Sequence, residues 1–138
     1  MIYFTADLHL GHNAIIGMQD RPFETVEQMN KALIDNYNAV LWAVGKNITK
    51  GTSSTTFGPN DGCTRGQVVT FLHRFENAPT PASSTNPFED VSSGEYYYTP
   101  VLWAIGKGIT NGTDATHFSP NDTCTRGQIV TFLYRDMK

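Results

Sequence analysis

Asp7 and His9 stand two residues apart in the opening run Met-Ile-Tyr-Phe-Thr-Ala-Asp-Leu-His, with His12 close behind. A carboxylate and an imidazole projecting from the end of one strand can together hold a hydrolytic metal ion. Two other groups of side chains invite a chemical reading. Trp42 and Trp103 offer flat faces on which a sugar ring can stack, although their places on helical segments suit core packing as well. Tyr96, Tyr97 and Tyr98 are consecutive and cannot all face inward, which leaves at least one for solvent or a carbohydrate. Cys63 and Cys124 have no CxxC or nearby His spacing for zinc, and two cysteines are too few for a disulfide-rich scaffold. They read as packing residues, with a buried free thiol favoured over a disulfide.

The chain that must position these groups has 138 residues and a mass of 15.3 kDa, room for one ordinary domain or two very small ones. Thirteen acidic against ten basic side chains give a net charge of -3, which argues against general binding to a nucleic-acid backbone. Seventeen Thr, ten Asn and seven Ser against five Lys describe a loop-rich, weakly charged surface. No apolar run approaches the roughly 18 residues of a membrane span. The N-terminus lacks the basic, apolar and small-residue pattern of a secretory signal.

An internal repeat dominates the sequence. Residues 40–74 align without gaps on residues 101–135, at an offset of 61, with 25 of 35 positions identical. Each copy reads as helix, loop, helix. In the second copy Val101, Leu102 and Ile105 share a face, and Gly106 and Gly108 end the first helix. Phe118 and Pro120 pin the polar loop from Thr110 to Cys124 onto the core. Thr125-Arg126-Gly127-Gln128 is a capping box that opens the second helix, whose apolar face is Ile129, Val130, Phe132 and Leu133. Thr64, Gln67, Val68, Val69, Phe71 and Leu72 repeat that logic in the first copy. Residues 76–87, with three prolines, read as an extended, mobile linker. Before the first copy, Thr25 and Gln28 open a helix whose apolar positions 26, 29, 33, 37, 40 and 44 allow one uninterrupted helix from about Thr25 to Val44.

The order F-x-D-V, Tyr-x-x-V-x-W-A, G-I-x-x-G, F-x-P and T-R-x-x-x-V-x-F-L-x-R resembles the S-layer homology repeat of bacterial surface proteins. The second copy carries it from Phe88, Asp90 and Val91 through Arg135, and the first from about Tyr37 through Arg74. The resemblance implies a mainly α fold of two helix-loop-helix repeats, an incomplete form of a pseudo-threefold module that binds secondary cell-wall polysaccharide non-covalently. It further implies ligand contacts at Arg126 and Arg65, the residues that follow the capping threonines. A guanidinium there can pair with the carboxylate of an acidic or pyruvylated sugar, or else lie solvated or beside an Asp. Asp90 is expected to cap the following turn or touch ligand, and Trp103 and Tyr97 complete the candidate set. Both copies have Thr-Arg-Gly-Gln where the family commonly has Thr-Arg-Ala-Glu, so the capping hydrogen bond is kept and a carboxylate is lost. The Asn-x-Thr triplets at Asn47, Asn111 and Asn121 matter only in a eukaryotic secretory pathway.

Residues 1–39 show none of this pattern. IYFTADLHLGH, then DRPF and a helix, resembles the start of a calcineurin-like metallophosphoesterase, in which Asp7 and His9 would be the first metal ligands. The later ligand motifs of such an enzyme do not follow, so no turnover is expected and a divalent metal is the only cofactor in view, held by a vestigial site. The expected division is a truncated phosphoesterase-like segment (1–39) with a short β-strand, a first repeat lacking its opening segment (40–75), a linker (76–87) and a second repeat (88–138). Asn36-Tyr37-Asn38-Ala39-Val40 suits both the end of the phosphoesterase-like helix and the opening of the surface repeat, which suggests a chimera joined at that shared stretch, or a truncated product. The repeats point to the cell wall and the absent signal to the cytoplasm. The expected partners are a wall polysaccharide and a second copy that completes the module, with no nucleic acid.

Overall fold

The computed structural model describes residues 10–11, 14–18 and 21–138. The strand expected before residue 9 falls outside them, together with Asp7, His9 and His12. The described residues are mainly helical, and the chain divides into two units, Met1–Gly58 and Pro59–Lys138.

The first unit contains the short α1 (Ile15–Met18) and the long α2 (Val26–Gly45). Thr25 caps α2, its hydroxyl accepting from the Gln28 amide at 3.2 Å, while the Gln28 side chain accepts from the Glu24 amide. Met29 is fully buried on the first turns, where Arg21 reaches its sulfur. The helix runs unbroken through residues 39 and 40, as the three-four spacing of its apolar residues allows. It stops at Asn47, which takes a left-handed φ of 57° so that its amide and that of Ile48 satisfy the carbonyls of Val44 and Ala43. Gly108 does the same, at a φ of 73°, after the matching helix of the second copy.

The second unit holds α3 (Arg65–Phe75), α4 (Tyr98–Gly106) and α5 (Arg126–Asp136). Both capping boxes form: Thr64 and Thr125 accept from the amides of Gln67 and Gln128, whose side chains accept in return from the threonine amides. Helix α3 packs on both α4 and α5. One core joins Val69 and Leu72 of α3 to Val101, Trp103 and Ala104 of α4, Phe132 of α5, and Phe88, Ile109 and Phe118 from the connections. A repeat of this kind cannot bury its apolar faces alone, and here the second helix of the first copy buries its face on the second copy. The linker is tied in at its start, where the His73 Nε2 lies 2.8 Å from the Pro79 carbonyl oxygen. Pro79, Thr80 and Ala82 also line a pocket over Trp103 and Lys107.

The long polar loops are built the same way twice. The Ser53 hydroxyl accepts from the amides of Thr55 and Thr56, and the Asp114 carboxylate accepts from those of Thr116 and His117, 61 residues later. The Thr116 amide and the His117 ring hold the Asp114 carboxyl below its usual range, and the same carboxylate raises His117. A second carboxylate organises the second copy alone. Asp90 accepts from the Phe118 amide at 2.9 Å and the Ser119 amide at 2.7 Å, holding Ser119 at a left-handed φ of 57°. The corresponding residue of the first copy is Met29, and there Gly58 takes the left-handed turn without strain.

Losing both charge-assisted hydrogen bonds in Asp90→Ala is expected to reduce unfolding free energy by about 2 kcal/mol. Asp90→Asn, which keeps one acceptor, is expected to lose less. Chemical denaturation of the three proteins measures this, and equal midpoints would refute the capping role.

Candidate functional site

The sequence singles out two chemically identical Thr-Arg-Gly-Gln segments, and the fold treats them differently. Arg65 opens α3 and is only 3% exposed. Its Nε donates to the Phe118 carbonyl at 2.8 Å, and its guanidinium lies 4.8 Å from the Phe118 ring centroid and 5.5 Å from that of Phe132. The backbone beside it is occupied too. The Arg65 amide donates to the Asp122 carbonyl, the Gly66 amide to that of Pro120, and Thr64 forms an antiparallel bridge with Thr123. Burial pulls the guanidinium below its ordinary pKa, opposed by Cys124, Asp122 and Asp90. Its Nη2 is buried without a hydrogen-bond partner among the described residues. Arg65 thus joins the two copies from inside the core.

Gly66 sits where a side chain would be crowded. A Cβ there would lie 3.0 Å from the Tyr97 ring and 3.1 Å from the Pro120 carbonyl oxygen. The glycine that weakens the helix start therefore permits the second copy to approach α3 closely.

Arg126 occupies the equivalent place on α5 and is exposed. The Arg126 and Gly127 amides have no acceptor among the described residues, in contrast to those of Arg65 and Gly66. A flexible cation and free N–H groups at a helix start form an arrangement suited to an anionic oxygen ligand.

The rest of the candidate set is placed as follows. Trp103 lies in the core, its ring 5.2 Å from that of His73 in an edge contact, with the Lys107 ammonium 5.6 Å from the indole. Tyr97 is buried against Gly66, Tyr98 is partly buried and Tyr96 is exposed, so the tyrosine left for solvent is the first of the three. Asp90 is engaged by the two loop amides. Cys63 and Cys124 are free thiols whose backbones pair directly, the Cys124 amide donating to the Cys63 carbonyl at 2.8 Å. Burial raises the Cys124 thiol, which is thereby poorly reactive. Among the described residues no group of three or more His, Cys, Asp and Glu side chains is placed to hold a metal ion. None of the described helices is long and apolar enough to cross a membrane.

Sequence reasoning missed two supporting residues. Arg135 donates from Nη1 to the Ile109 carbonyl, tying the end of α5 to the turn after α4. Its signal was present in the repeated F-L-x-R pattern. Asn86 brackets the second copy's start through the carbonyls of Phe88 and Val91 and the Phe88 amide. It lies outside the repeated stretch, so alignment of the copies does not mark it.

Arg65→Ala is expected to cost about 2 kcal/mol or more of stability through the lost carbonyl bond and ring contacts. Arg126→Ala is expected to stay within about 0.5 kcal/mol of the parent protein. Thermal and urea unfolding of both variants distinguish the two roles, and equal losses would contradict them.

The geometry agrees with what sequence comparison finds. The S-layer homology domain profile matches residues 34–69 and 87–130, stretches that include both helix pairs' loops and both Thr-Arg segments. An endoglucanase of Bacillus sp. (strain KSM-635) is 35% identical over 89 residues, which are 64% of this chain and 9% of that protein. A cell surface protein of Thermoanaerobacter kivui is 28% identical over 102 residues, 71% of this chain and 13% of the relative. The surface-layer 125 kDa protein of Lysinibacillus sphaericus is 29% identical over 96 residues, 69% and 8% of the two chains. The matches thus span a small part of each relative, a segment shared by enzymes and surface proteins alike. With 80 of its 138 residues matching the profile in two stretches that overlap the two helix-loop-helix copies, the chain belongs to the S-layer homology domain family.

Proposed function

We propose that the chain is a non-enzymatic cell-surface anchoring module that binds an anionic secondary cell-wall polysaccharide non-covalently, at the start of α5. The supporting observation is the contrast between the two arginines: Arg65 is enclosed in the core, whereas Arg126 projects from a helix start whose amides have no acceptor among the described residues. Arg126 makes the direct contact. Arg65, Asp90, Trp103 and Tyr97 hold the surface in shape, and the exposed Tyr96 is available beside Tyr97 for a sugar face. The residue ranges 40–75 and 88–138, joined by 76–87, are the sequence units of the module, and its place of action is the cell wall.

Calorimetric titration with purified acidic wall polysaccharide tests this reading. Arg126→Ala is expected to bind about tenfold more weakly or worse, since a paired guanidinium–carboxylate contact is lost. Arg126→Lys, which keeps the charge without the planar fork, is expected to fall between. Unchanged affinity in Arg126→Ala would refute the site.

A second reading concerns residues 1–39 alone and is carried by the Asp7-x-His9 motif. We propose that this segment is the remnant of a metal-dependent phosphoesterase joined to the repeats, a chimeric or truncated arrangement in which catalysis is lost. Phosphodiester hydrolysis with manganese, abolished by Asp7→Ala, would contradict the loss of catalysis; no hydrolysis is expected.

A further inference from the structure

The two cysteines hold the same place in each copy, 61 residues apart, and both belong to the second unit. The backbones beside them run antiparallel. Thr64 is bridged to Thr123, with the Arg65 amide bonded to the Asp122 carbonyl on one side and the Cys124 amide to the Cys63 carbonyl on the other. In such a ladder the residue before Thr64 stands directly opposite the residue after Thr123, and those residues are Cys63 and Cys124. This is the single register position at which a residue of the first copy meets its own counterpart in the second. One repeated residue type therefore supplies both members of the pair.

Directly opposed residues share one face of a ladder, with Cα atoms roughly 4.5–5.5 Å apart, inside the range of about 4.4–6.8 Å over which a disulfide closes without backbone movement. That face is the core side: Cys124 is buried in the core and Cys63 packs against it. The two backbones are close at this crossing, since a Cβ on Gly62 would lie 3.3 Å from the Thr123 Cγ2. We propose that Cys63 and Cys124 form a redox-closed cross-link, a disulfide that joins the two copies when a low-molecular-weight disulfide is present and opens again in a reducing medium.

Cys63 is half-buried whereas Cys124 is 6% exposed, so the outside reagent meets Cys63 first. The Cys63 thiolate, its proton lost to water, attacks one sulfur of the reagent RSSR; the reagent's S–S bond breaks, and the departing thiolate takes up a proton. Cys124 then loses its proton and attacks the Cys63 sulfur of the mixed disulfide, releasing the second RSH. Two protein thiols are oxidised, and one RSSR is reduced to two RSH. Burial raises the Cys124 thiol, with the Arg65 cation opposing the rise, which suits a sulfur that reacts with a neighbour held against it rather than with a reagent in solvent. The bond ties the second copy's loop to the start of α3, where Arg65 is enclosed, and restrains the unfolded chain across a long loop. An oxidising cell surface would keep it closed and a reducing cytoplasm open.

Thermal unfolding of the whole chain, followed by circular dichroism, tests this after equilibration with either dithiothreitol or oxidised glutathione. With oxidised glutathione both thiols are expected to disappear together, and the mass of the single chain to fall by about 2 Da as two hydrogens leave. Proteolysis should then yield peptides linked through Cys63 and Cys124. The unfolding midpoint of that form is expected to lie at least about 5 °C above the reduced form, and dithiothreitol to reverse the rise. The reduced parent is its own reference, so the outcome needs no variant to fold. Cys124→Ser is expected to stop with one glutathione on Cys63, and Cys63→Ser to keep Cys124 free, neither showing the parent's rise. Thiols that stay free in the parent, a glutathione on each cysteine, linkage only between chains, or an oxidised midpoint at or below the reduced one would overturn the inference. Polysaccharide binding is read separately, and its loss in Arg126→Ala leaves the thiol count unchanged, so either reading can fail alone.

Discussion

The enclosure of Arg65 is the interaction on which the rest of the second unit depends. A helix-loop-helix copy has more apolar surface than its own two helices can cover, and the Arg65 guanidinium fixes where the next copy covers it. Its bond to the Phe118 carbonyl, its contacts with the Phe118 and Phe132 rings and the neighbouring backbone bridge set the loop of one copy against the helix start of the other. A cation in such a place loses hydration, and the face of two aromatic rings and a carbonyl oxygen replace part of it. Once the loop is seated, Phe118 enters the core and Asp90 can hold the turn that follows it.

The same geometry explains why one repeated motif supports two roles. Position in the series, and not residue type, decides whether the arginine after the capping threonine is a structural cation or a surface group. Arg65 precedes a second copy and is enclosed; Arg126 ends the pair and remains open. The membership of the chain in the S-layer homology domain family, and the occurrence of related segments in two surface proteins and an endoglucanase, fit an anchoring module.

Local features were legible in the sequence because they depend on neighbours in the chain. The capping boxes at Thr64 and Thr125, the helix through Val40 and the burial of Phe118 all follow from spacing and side-chain type. The fate of the two arginines was not legible. Both lie in the same four-residue string, and what separates them is a contact 53 residues away, between Arg65 and Phe118. Trp42 and Trp103 present the same lesson: identical local patterns place both on a helix, and Trp103 is buried whereas Trp42 is exposed. Asp90 was half legible, since its position before a turn suggests a cap but the turn it holds lies 28 residues further on.

Attachment to the wall is the central claim, and co-sedimentation with purified Gram-positive cell walls tests it most directly. Walls would be compared before and after chemical removal of their secondary polymers. The chain should sediment with the intact walls and stay in solution with the stripped ones. Equal retention by both preparations, or by neither, would contradict the account.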